Sequence, residues 1–315
     1  MASVLVTRRL PEGGLDPLAG HDLVGPNHDD RAFTHDELVA HARDVDGIVC
    51  LLTDRIDPQV LNAGAGRLRV VANAAVGYDN IDVAAANERG IVVCNTPGVL
   101  DETTADVAFL LILAAARGAW VAERDLRAGD WPGWGITQYL GRDVHGAVLG
   151  LVGYGRIGRA VARRAAGFDM TVLHHTRHDT GEPGWRGDLD ALLAEADIVS
   201  LHCPGGEATR HLIDARRLAL MKPTAVLVNT ARGTVVDEAA LADALHDGRL
   251  FAAGLDVYER EPQVHPRLLD APGTMLLPHI GSASFTTRLQ MAHLATSAVA
   301  TVLVGGTPPN VVTPG

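Results

Sequence analysis

Gly153-Tyr154-Gly155-Arg156-Ile157-Gly158 stands between an apolar run, Ala147-Val148-Leu149-Gly150-Leu151-Val152, and a helix-forming run, Arg159-Ala160-Val161-Ala162-Arg163-Arg164-Ala165-Ala166. Strand, glycine turn and helix in that order form a phosphate cradle. The first glycine permits the tight turn, the second lets the backbone approach a pyrophosphate, and the third lets helix and strand pack closely. The unpaired N–H groups of the helix's first turn sit at the positive end of its dipole and hold the phosphate. The stretch therefore predicts a dinucleotide site with Gly153, Gly155, Arg156, Ile157 and Gly158 at its phosphates.

Outward from this turn, short apolar runs alternate with helical stretches. Val4–Val6, Asp22–Val24, Gly47–Leu52, Leu68–Ala72 and Ile91–Cys94 read as strands, with helical character at Asp36–Ala42, Pro58–Ala63 and Val83–Ala86. A second set of strands begins at Val148 and continues through Thr171–Leu173, Ile198–Leu201, Ala225–Val228, Ala252–Asp256 and Met275–Leu277. Alternation of this kind predicts an α/β protein with two doubly wound parallel sheets. Asn95-Thr96-Pro97-Gly98 interrupts the first set, and one long helix is expected from about Asp101 to Leu126, capped by Asp101, Thr103 or Thr104. A loop rich in Gly and Trp follows at 129–135, and a last helix is expected over Phe285–Val304. The expected domains are residues 1–98 with 285–315, and residues 99–284. A cleft between two such domains is the usual place for a cofactor and a small substrate.

Composition excludes several function classes. The formal charge of −11 over 315 residues argues against nucleic-acid binding, and Lys222 is the only lysine. With 47% hydrophobic but only 4% aromatic residues, the core must rest on Ala, Val, Leu and Ile. Cys50, Cys94 and Cys203 lie far apart in or beside apolar runs and read as reduced, buried side chains; no Cys/His spacing suits a metal. The N-terminus reads as a strand with no signal pattern, and the longest apolar run, Val107 to Ala116, is too short to cross a membrane. A cytoplasmic protein is expected.

The cofactor is read at the end of the second strand, Val172-Leu173-His174-His175-Thr176-Arg177-His178. NAD-binding folds place an Asp or Glu here, about twenty residues beyond the glycines, to grip the ribose 2′-OH. No carboxylate occupies this strand end, while Thr176 and Arg177 do. Arg pairs with a 2′-phosphate through charge-assisted hydrogen bonds, so NADP is expected over NAD, with NAD still possible.

Three later segments place ionisable residues at strand ends: Val228-Asn229-Thr230-Ala231-Arg232-Gly233, Gly254-Leu255-Asp256-Val257-Tyr258-Glu259-Arg260-Glu261-Pro262, and Leu277-Pro278-His279-Ile280-Gly281-Ser282. Reduction of a 2-oxo acid needs hydride at C2 and a proton on the forming alkoxide. Arg232 suits the carboxylate and the polarised carbonyl, His279 the proton, and Glu261 the support of a protonated imidazole. Asp256 has two readings, as an acceptor for the nicotinamide amide or as a turn-capping carboxylate.

With these motifs in order, the chain resembles the D-isomer-specific 2-hydroxyacid dehydrogenases over essentially its whole length. Gly77-Tyr78-Asp79-Asn80-Ile81-Asp82, Asn95-Thr96-Pro97-Gly98 and Met221-Lys222-Pro223 match as well. The resemblance implies a Rossmann cofactor domain inserted in a flavodoxin-like substrate domain, with Arg232, Glu261 and His279 catalytic. It implies that backbone N–H groups at Val76 and Gly77 hold the substrate carboxylate. Thr104, Thr230, Ala231 and Asp256 then line the cofactor, and His202-Cys203-Pro204 flank its adenosine side. Cys50-Leu51-Leu52-Thr53-Asp54 is similar to the substrate loop of glyoxylate/hydroxypyruvate reductases, which places Leu51 at the pocket. Relatives pair through the long helix and the loop after it, so a homodimer is implied through Asp101–Leu126 and Trp131–Trp134. Two alternatives stay open: an NAD-dependent D-2-hydroxyacid dehydrogenase of another substrate, and a dinucleotide-sensing scaffold like the corepressors that share this fold.

Overall fold

The computed structural model describes residues 1–313. The chain forms two compact units, Met1–Leu100 with the segment from Ser282 onward, and Asp101–Gly281. These limits differ by two or three residues from the expected 98/99 and 284/285.

The first unit holds β1 (Ser3–Val6), β2 (Asp22–Val24), α1 (His35–Ala42), β3 (Gly47–Cys50), α2 (Pro58–Ala63), β4 (Val70–Asn73), α3 (Val83–Glu88) and β5 (Val92–Cys94). All its strand pairs are parallel, in the order β2-β1-β3-β4-β5. That is the flavodoxin-like order. Side chains alternate across the strands. Leu5, Ile48, Val71 and Val93 meet Leu38, Val60, Leu61 and Ala86 of the helices on one face. Val4, Val49, Val70, Ala72 and Cys94 meet Ala295, Ala298 and Val299 of the C-terminal helix, Phe285–Leu303, on the other.

The second unit holds α4 (Asp101–Ala116), α5 (Ala119–Ala128), β6 (Val148–Val152), α6 (Arg156–Ala165), β7 (Thr171–His175), α7 (Leu189–Glu195), β8 (Ile198–Leu201), α8 (Ala215–Leu218), β9 (Val226–Asn229), α9 (Glu238–His246), β10 (Ala252–Leu255), α10 (Pro266–Leu269) and β11 (Thr274–Leu276). Its six strands are parallel in the order β11-β10-β9-β8-β6-β7. Beyond β7, among the described residues, the sheet gains only one isolated parallel bridge, His174 with Trp185. That bridge occupies the place of the third strand in a Rossmann sheet. Gly181, Pro183, Gly184 and Gly187 around it leave too few ladder-forming residues for more. Leu149, Leu151, Ile198, Val226 and Val228 pack on α4 and α6, while Val152, Val199, Leu227 and Leu255 pack on the helices of the opposite face.

The single long helix expected over Asp101–Leu126 is two helices. They meet at Gly118, whose φ of 58° is left-handed, and bend by 69°. The Arg142 N–H donates to the Ala116 carbonyl at 2.7 Å, so the incoming loop takes one of the carbonyls that a continuing helix would use. Among the described residues no single helix is long and apolar enough to span a membrane.

Candidate active site

The glycine turn joins β6 to α6 as the sequence requires. Gly153 has a φ of 97°, and a β-carbon there would lie 2.6 Å from the His202 carbonyl. At Gly158 a β-carbon would lie 2.4 Å from the Gly153 oxygen, whereas at Gly155 it would meet nothing within 4 Å. The first and third glycines are thus demanded by packing, and the second borders open space. The first helical bond of α6 runs from Arg159 N–H to Gly155 O, which leaves the N–H groups of Arg156, Ile157 and Gly158 ahead of the ladder. This geometry fits a pyrophosphate. The turn sits where β6 has neighbours β7 and β8 on its two sides, the switch point at which such sheets bind ligands.

Around the cradle, Thr176 donates its hydroxyl to the His178 carbonyl at 2.6 Å and folds the end of β7. Arg177 is exposed there, with no hydrogen bond or ion pair to another described residue. His202 lies against the cradle with Nε2 2.9 Å from Ser200 Oγ and an enclosed, unpartnered Nδ1; burial pushes its imidazole down to about 4. Pro204 is exposed, and its carbonyl accepts from the Thr209 hydroxyl at 2.7 Å. Thr230 is buried with a hydroxyl that has no partner, a vacant polar contact at the end of β9. Its neighbour Ala231 donates its N–H to Asn229 Oδ1 at 3.0 Å.

Beyond β10 and β11 the loops bring two of the ionisable residues together. Glu261 Oε2 lies 2.8 Å from His279 Nδ1, and Glu261 Oε1 accepts the Tyr258 N–H at 3.0 Å. Burial raises the Glu261 pKa, but the hydrogen bond and charge of His279, the Tyr258 N–H and the charge of Arg232 outweigh it, and the carboxyl lies below its usual range. His279 has a left-handed φ of 55° and donates its own N–H to the Asp256 carbonyl at 2.9 Å. The buried Asp256 carboxylate accepts from Ile280 N–H at 2.7 Å and Gly281 N–H at 2.8 Å. Of its two readings, the turn-capping one describes these contacts: Asp256 holds the loop that presents His279. A β-carbon at Gly281 would lie 3.5 Å from Thr104 Oγ1, so Thr104 at the start of α4 borders the same loop.

Arg232 leaves the end of β9 through a turn built by Asn229, whose Nδ2 donates to the Arg232 carbonyl at 2.9 Å. Arg232 Nη1 donates to the Ala231 carbonyl at 2.8 Å. A β-carbon at Gly205 would lie 2.7 Å from Arg232 Cγ, so that glycine makes room for the aliphatic stem.

The first unit carries Leu51, Val76 and Gly77. The Ala75 carbonyl accepts from Thr96 N–H at 2.9 Å, and the Val76 carbonyl accepts from Asn95 Nδ2 at 2.7 Å. In a trans peptide the N–H points opposite to the C=O. The N–H groups of Val76 and Gly77 are therefore both turned away from the partners of these carbonyls. Asn73 Nδ2 donates to the Gly77 carbonyl at 2.7 Å and to Asn80 Oδ1 at 3.0 Å. Asn80 Nδ2 in turn donates to the carbonyls of Leu51 at 3.0 Å and Asp54 at 2.9 Å. Asp54, itself buried, accepts the Leu51 N–H at 2.8 Å.

Asn73, Asn80, Asn95 and Asn229 escape motif reasoning as site residues. A signal does exist for two of them. Val70-Val71-Ala72-Asn73 and Val226-Leu227-Val228-Asn229 are both apolar strands ending in Asn, and each Asn side chain folds the turn that follows.

The family model described as "D-isomer specific 2-hydroxyacid dehydrogenase, NAD binding domain" matches residues 109–281. The chain belongs to the D-isomer-specific 2-hydroxyacid dehydrogenase family. It is 44% identical to a glyoxylate reductase of Thermococcus onnurineus, covering 98% of this chain and 95% of that one. A glyoxylate reductase of Korarchaeum cryptofilum is 47% identical over the same shares. Among solved structures, the NADPH-dependent glyoxylate/hydroxypyruvate reductase of Sinorhizobium meliloti, in complex with NADP and malonate, superposes with a TM-score of 0.89 at 35% identity, covering 99% of this chain and 97% of that one. As a member of this family the protein is a nicotinamide-dependent oxidoreductase of 2-hydroxy acids and 2-oxo acids, and its two parallel-sheet units follow the family's architecture.

Proposed function

We propose that the protein reduces a small 2-oxo acid, glyoxylate or hydroxypyruvate, to the D-2-hydroxy acid with NADPH. The observation that carries the reading is the Glu261–His279 pair, held on the same unit as the glycine cradle. A reduced nicotinamide, when bound, supplies hydride to the substrate's C2. The cradle formed by Gly153, Gly155, Arg156, Ile157 and Gly158 holds its pyrophosphate, with Thr104, Thr230, Ala231 and Asp256 lining the rest of the cofactor and His202 and Pro204 flanking its adenosine side. Arg177, exposed and without a partner, pairs with the 2′-phosphate beside Thr176. The NADP carried by the Sinorhizobium meliloti relative supports this preference.

The N–H groups of Val76 and Gly77 bind the substrate carboxylate, and Leu51 borders the substituent at C2. Arg232 orients the carbonyl and stabilises negative charge growing on its oxygen. With Nδ1–H donating to Glu261, His279 presents Nε2 as the proton donor to that oxygen. Glu261, held by the Tyr258 N–H, fixes the ring through Nδ1, so that Nε2 is the nitrogen left for the substrate oxygen.

The same unit exposes Leu110 at 47%, Leu126 at 59%, Trp131 at 47% and Trp134 at 79%, side chains of α4, α5 and the following loop. We assign them to a homodimer surface, since large apolar groups this exposed mark interaction sites. Sizing at micromolar concentration that shows only monomer overturns the assignment.

The deciding experiment assays a panel of 2-oxo acids, each with NADPH and with NADH. The highest kcat/KM is expected for glyoxylate or hydroxypyruvate with NADPH. Binding of NADPH without turnover of any 2-oxo acid would favour the sensing scaffold instead.

A further inference from the structure

Glu238 is the first residue of α9 and only 6% exposed, an unusual place for a carboxylate. Carboxylates in such surroundings are costly unless hydrogen bonded, and burial accordingly pushes the Glu238 pKa up. The side chain is spent on one segment. Its Oε1 accepts the Glu259 N–H at 2.7 Å, and its Oε2 accepts the His265 N–H at 3.3 Å. Glu259 reciprocates: its Oε1 accepts the Glu238 N–H at 3.1 Å and lies 3.1 Å from His211 Nε2. The result is a two-way lock between the start of α9 and both ends of residues 259–265, the segment that carries Glu261.

A second contact seats the near end of that segment. A β-carbon at Gly233 would lie 1.9 Å from the Tyr258 carbonyl carbon and 2.3 Å from the Glu259 nitrogen, so the turn after Arg232 presses directly on the Tyr258–Glu259 peptide. Tyr258 is also the residue whose N–H holds Glu261 Oε1. A cavity of about 650 Å³ borders the lock, lined by Glu238, Glu259 and His265 themselves together with Arg210, Asp237 and Arg260.

We propose that Glu238 is a positioning residue: by pinning the N–H groups of Glu259 and His265 it fixes the segment so that Glu261 meets His279. It touches neither His279 nor Arg232 and acts through Glu261 alone. The inference rests on the reading of Glu261 and His279 as the working pair of a reductase.

The test is Glu238→Gln, whose amide NH₂ would face a backbone N–H where a carboxylate oxygen now accepts. Glu261 is held ionised by His279, the Tyr258 N–H and Arg232, with Asp256 as a nearby like charge. Arg210, His211, Asp237, Glu259, Arg260 and His265 surround the lock itself. With the segment loosened, Glu261 loses part of its contact with His279 and titrates at higher pH. The folded variant is expected to show kcat at least tenfold lower, KM for glyoxylate changed less than threefold, and an acid limb of kcat/KM displaced upward by about one pH unit. The Glu261 carboxyl carbon, followed by NMR, should titrate upward by a similar amount. A folded variant with an unchanged acid limb and Glu261 titration, even if less heat-stable, overturns the proposal. Should Glu238→Gln not fold, Glu238→Asp keeps the charge but draws the carboxylate back by one methylene from the Glu259 and His265 N–H groups, and it must move both readouts in the same direction, or the proposal fails. The NMR titration needs no turnover. A wild-type protein that reduces no 2-oxo acid therefore sinks the functional reading and still leaves the lock decided.

Discussion

Glu261 reaches His279 at 2.8 Å across two loops that follow different strands, and it does so with one carboxylate oxygen while the other is held by the Tyr258 N–H. The carboxylate is thereby fixed in orientation before it meets the imidazole. A group fixed in this way imposes one tautomer on a neutral imidazole, with Nδ1 protonated and Nε2 left without a proton.

The first prediction concerns this pair. His279→Ala should lower kcat by about 10²–10⁴-fold, the usual range for removing a general acid, while the NADPH dissociation constant measured by fluorescence moves less than twofold. The same variant should raise the Glu261 pKa, because burial then acts without its main opponent. In the wild type, Glu261 is depressed, so the activity it supports is present above its pKa and lost as pH falls through that value. Glu261→Gln should remove that acid limb. An acid limb that survives Glu261→Gln belongs to another group.

Arg177 offers a test of cofactor choice. A hydrogen bond to a charged group contributes about 1.5–3 kcal/mol. Arg177→Ala should therefore cut the ratio of kcat/KM for NADPH over NADH by roughly ten- to a hundredfold, and Arg177→Asp should favour NADH. If both variants keep the wild-type ratio, the 2′-phosphate is held elsewhere or is not selected.

Asn80 ties the loop of Leu51 to the loop of Gly77 through hydrogen bonds to two carbonyls and to Asn73. Asn80→Ala leaves those carbonyls without their donor, at a cost of about 1–3 kcal/mol in stability. The substrate KM should rise roughly tenfold with NADPH binding unchanged, because the affected loops lie in the unit without the glycine cradle. Steady-state kinetics with equilibrium unfolding in urea would check both halves.

His202 supplies a pH dependence of stability. Burial holds its folded pKa at about 4, so below its ordinary value the unfolded chain takes up a proton that the folded chain refuses. Its contribution is complete above about pH 6.5 and declines toward pH 4, by at most about 1.4 kcal/mol per pH unit. Burial lowers His174 as well, so the comparison must be made between variants. In urea unfolding at pH 7 and pH 5, His202→Gln should lose less stability on acidification than the wild type does. Equal losses would show that the His202 imidazole takes up its proton as readily in the folded chain as in the unfolded one.

Much of this protein is legible in its sequence because the relevant signals are local. The strand–turn–helix at Gly153–Gly158 reads directly, since Gly153 and Gly158 answer steric constraints from the turn itself or from the adjacent strand end, while Gly155 borders open space. The strands read well because a fully buried parallel strand is a continuous apolar run. The break at Gly118 does not read: a glycine within a helical pattern is compatible with a continuing helix, and it is the docking of the Gly141–Arg142 segment on the Ala116 carbonyl that ends it. The third Rossmann strand is likewise reduced to one bridge at Trp185 by a run of glycines and a proline whose effect depends on the neighbouring strand.

The residues proposed to carry the chemistry, Arg232, Glu261, His279 and Arg177, are legible in the sequence alone, because their types and their places after strand ends follow from the order of motifs. Only the tertiary structure decides how they are held. Glu238 and Glu259 stand 21 residues apart, Asp256 caps a turn 24 residues away, and Asn80 spans 29 residues to Leu51. A hydrogen bond between a buried side chain and a distant backbone group depends on where folding brings that group, and no local pattern encodes the meeting. The sequence names the ionisable groups of the proposed site, and the fold sets the contacts that hold them.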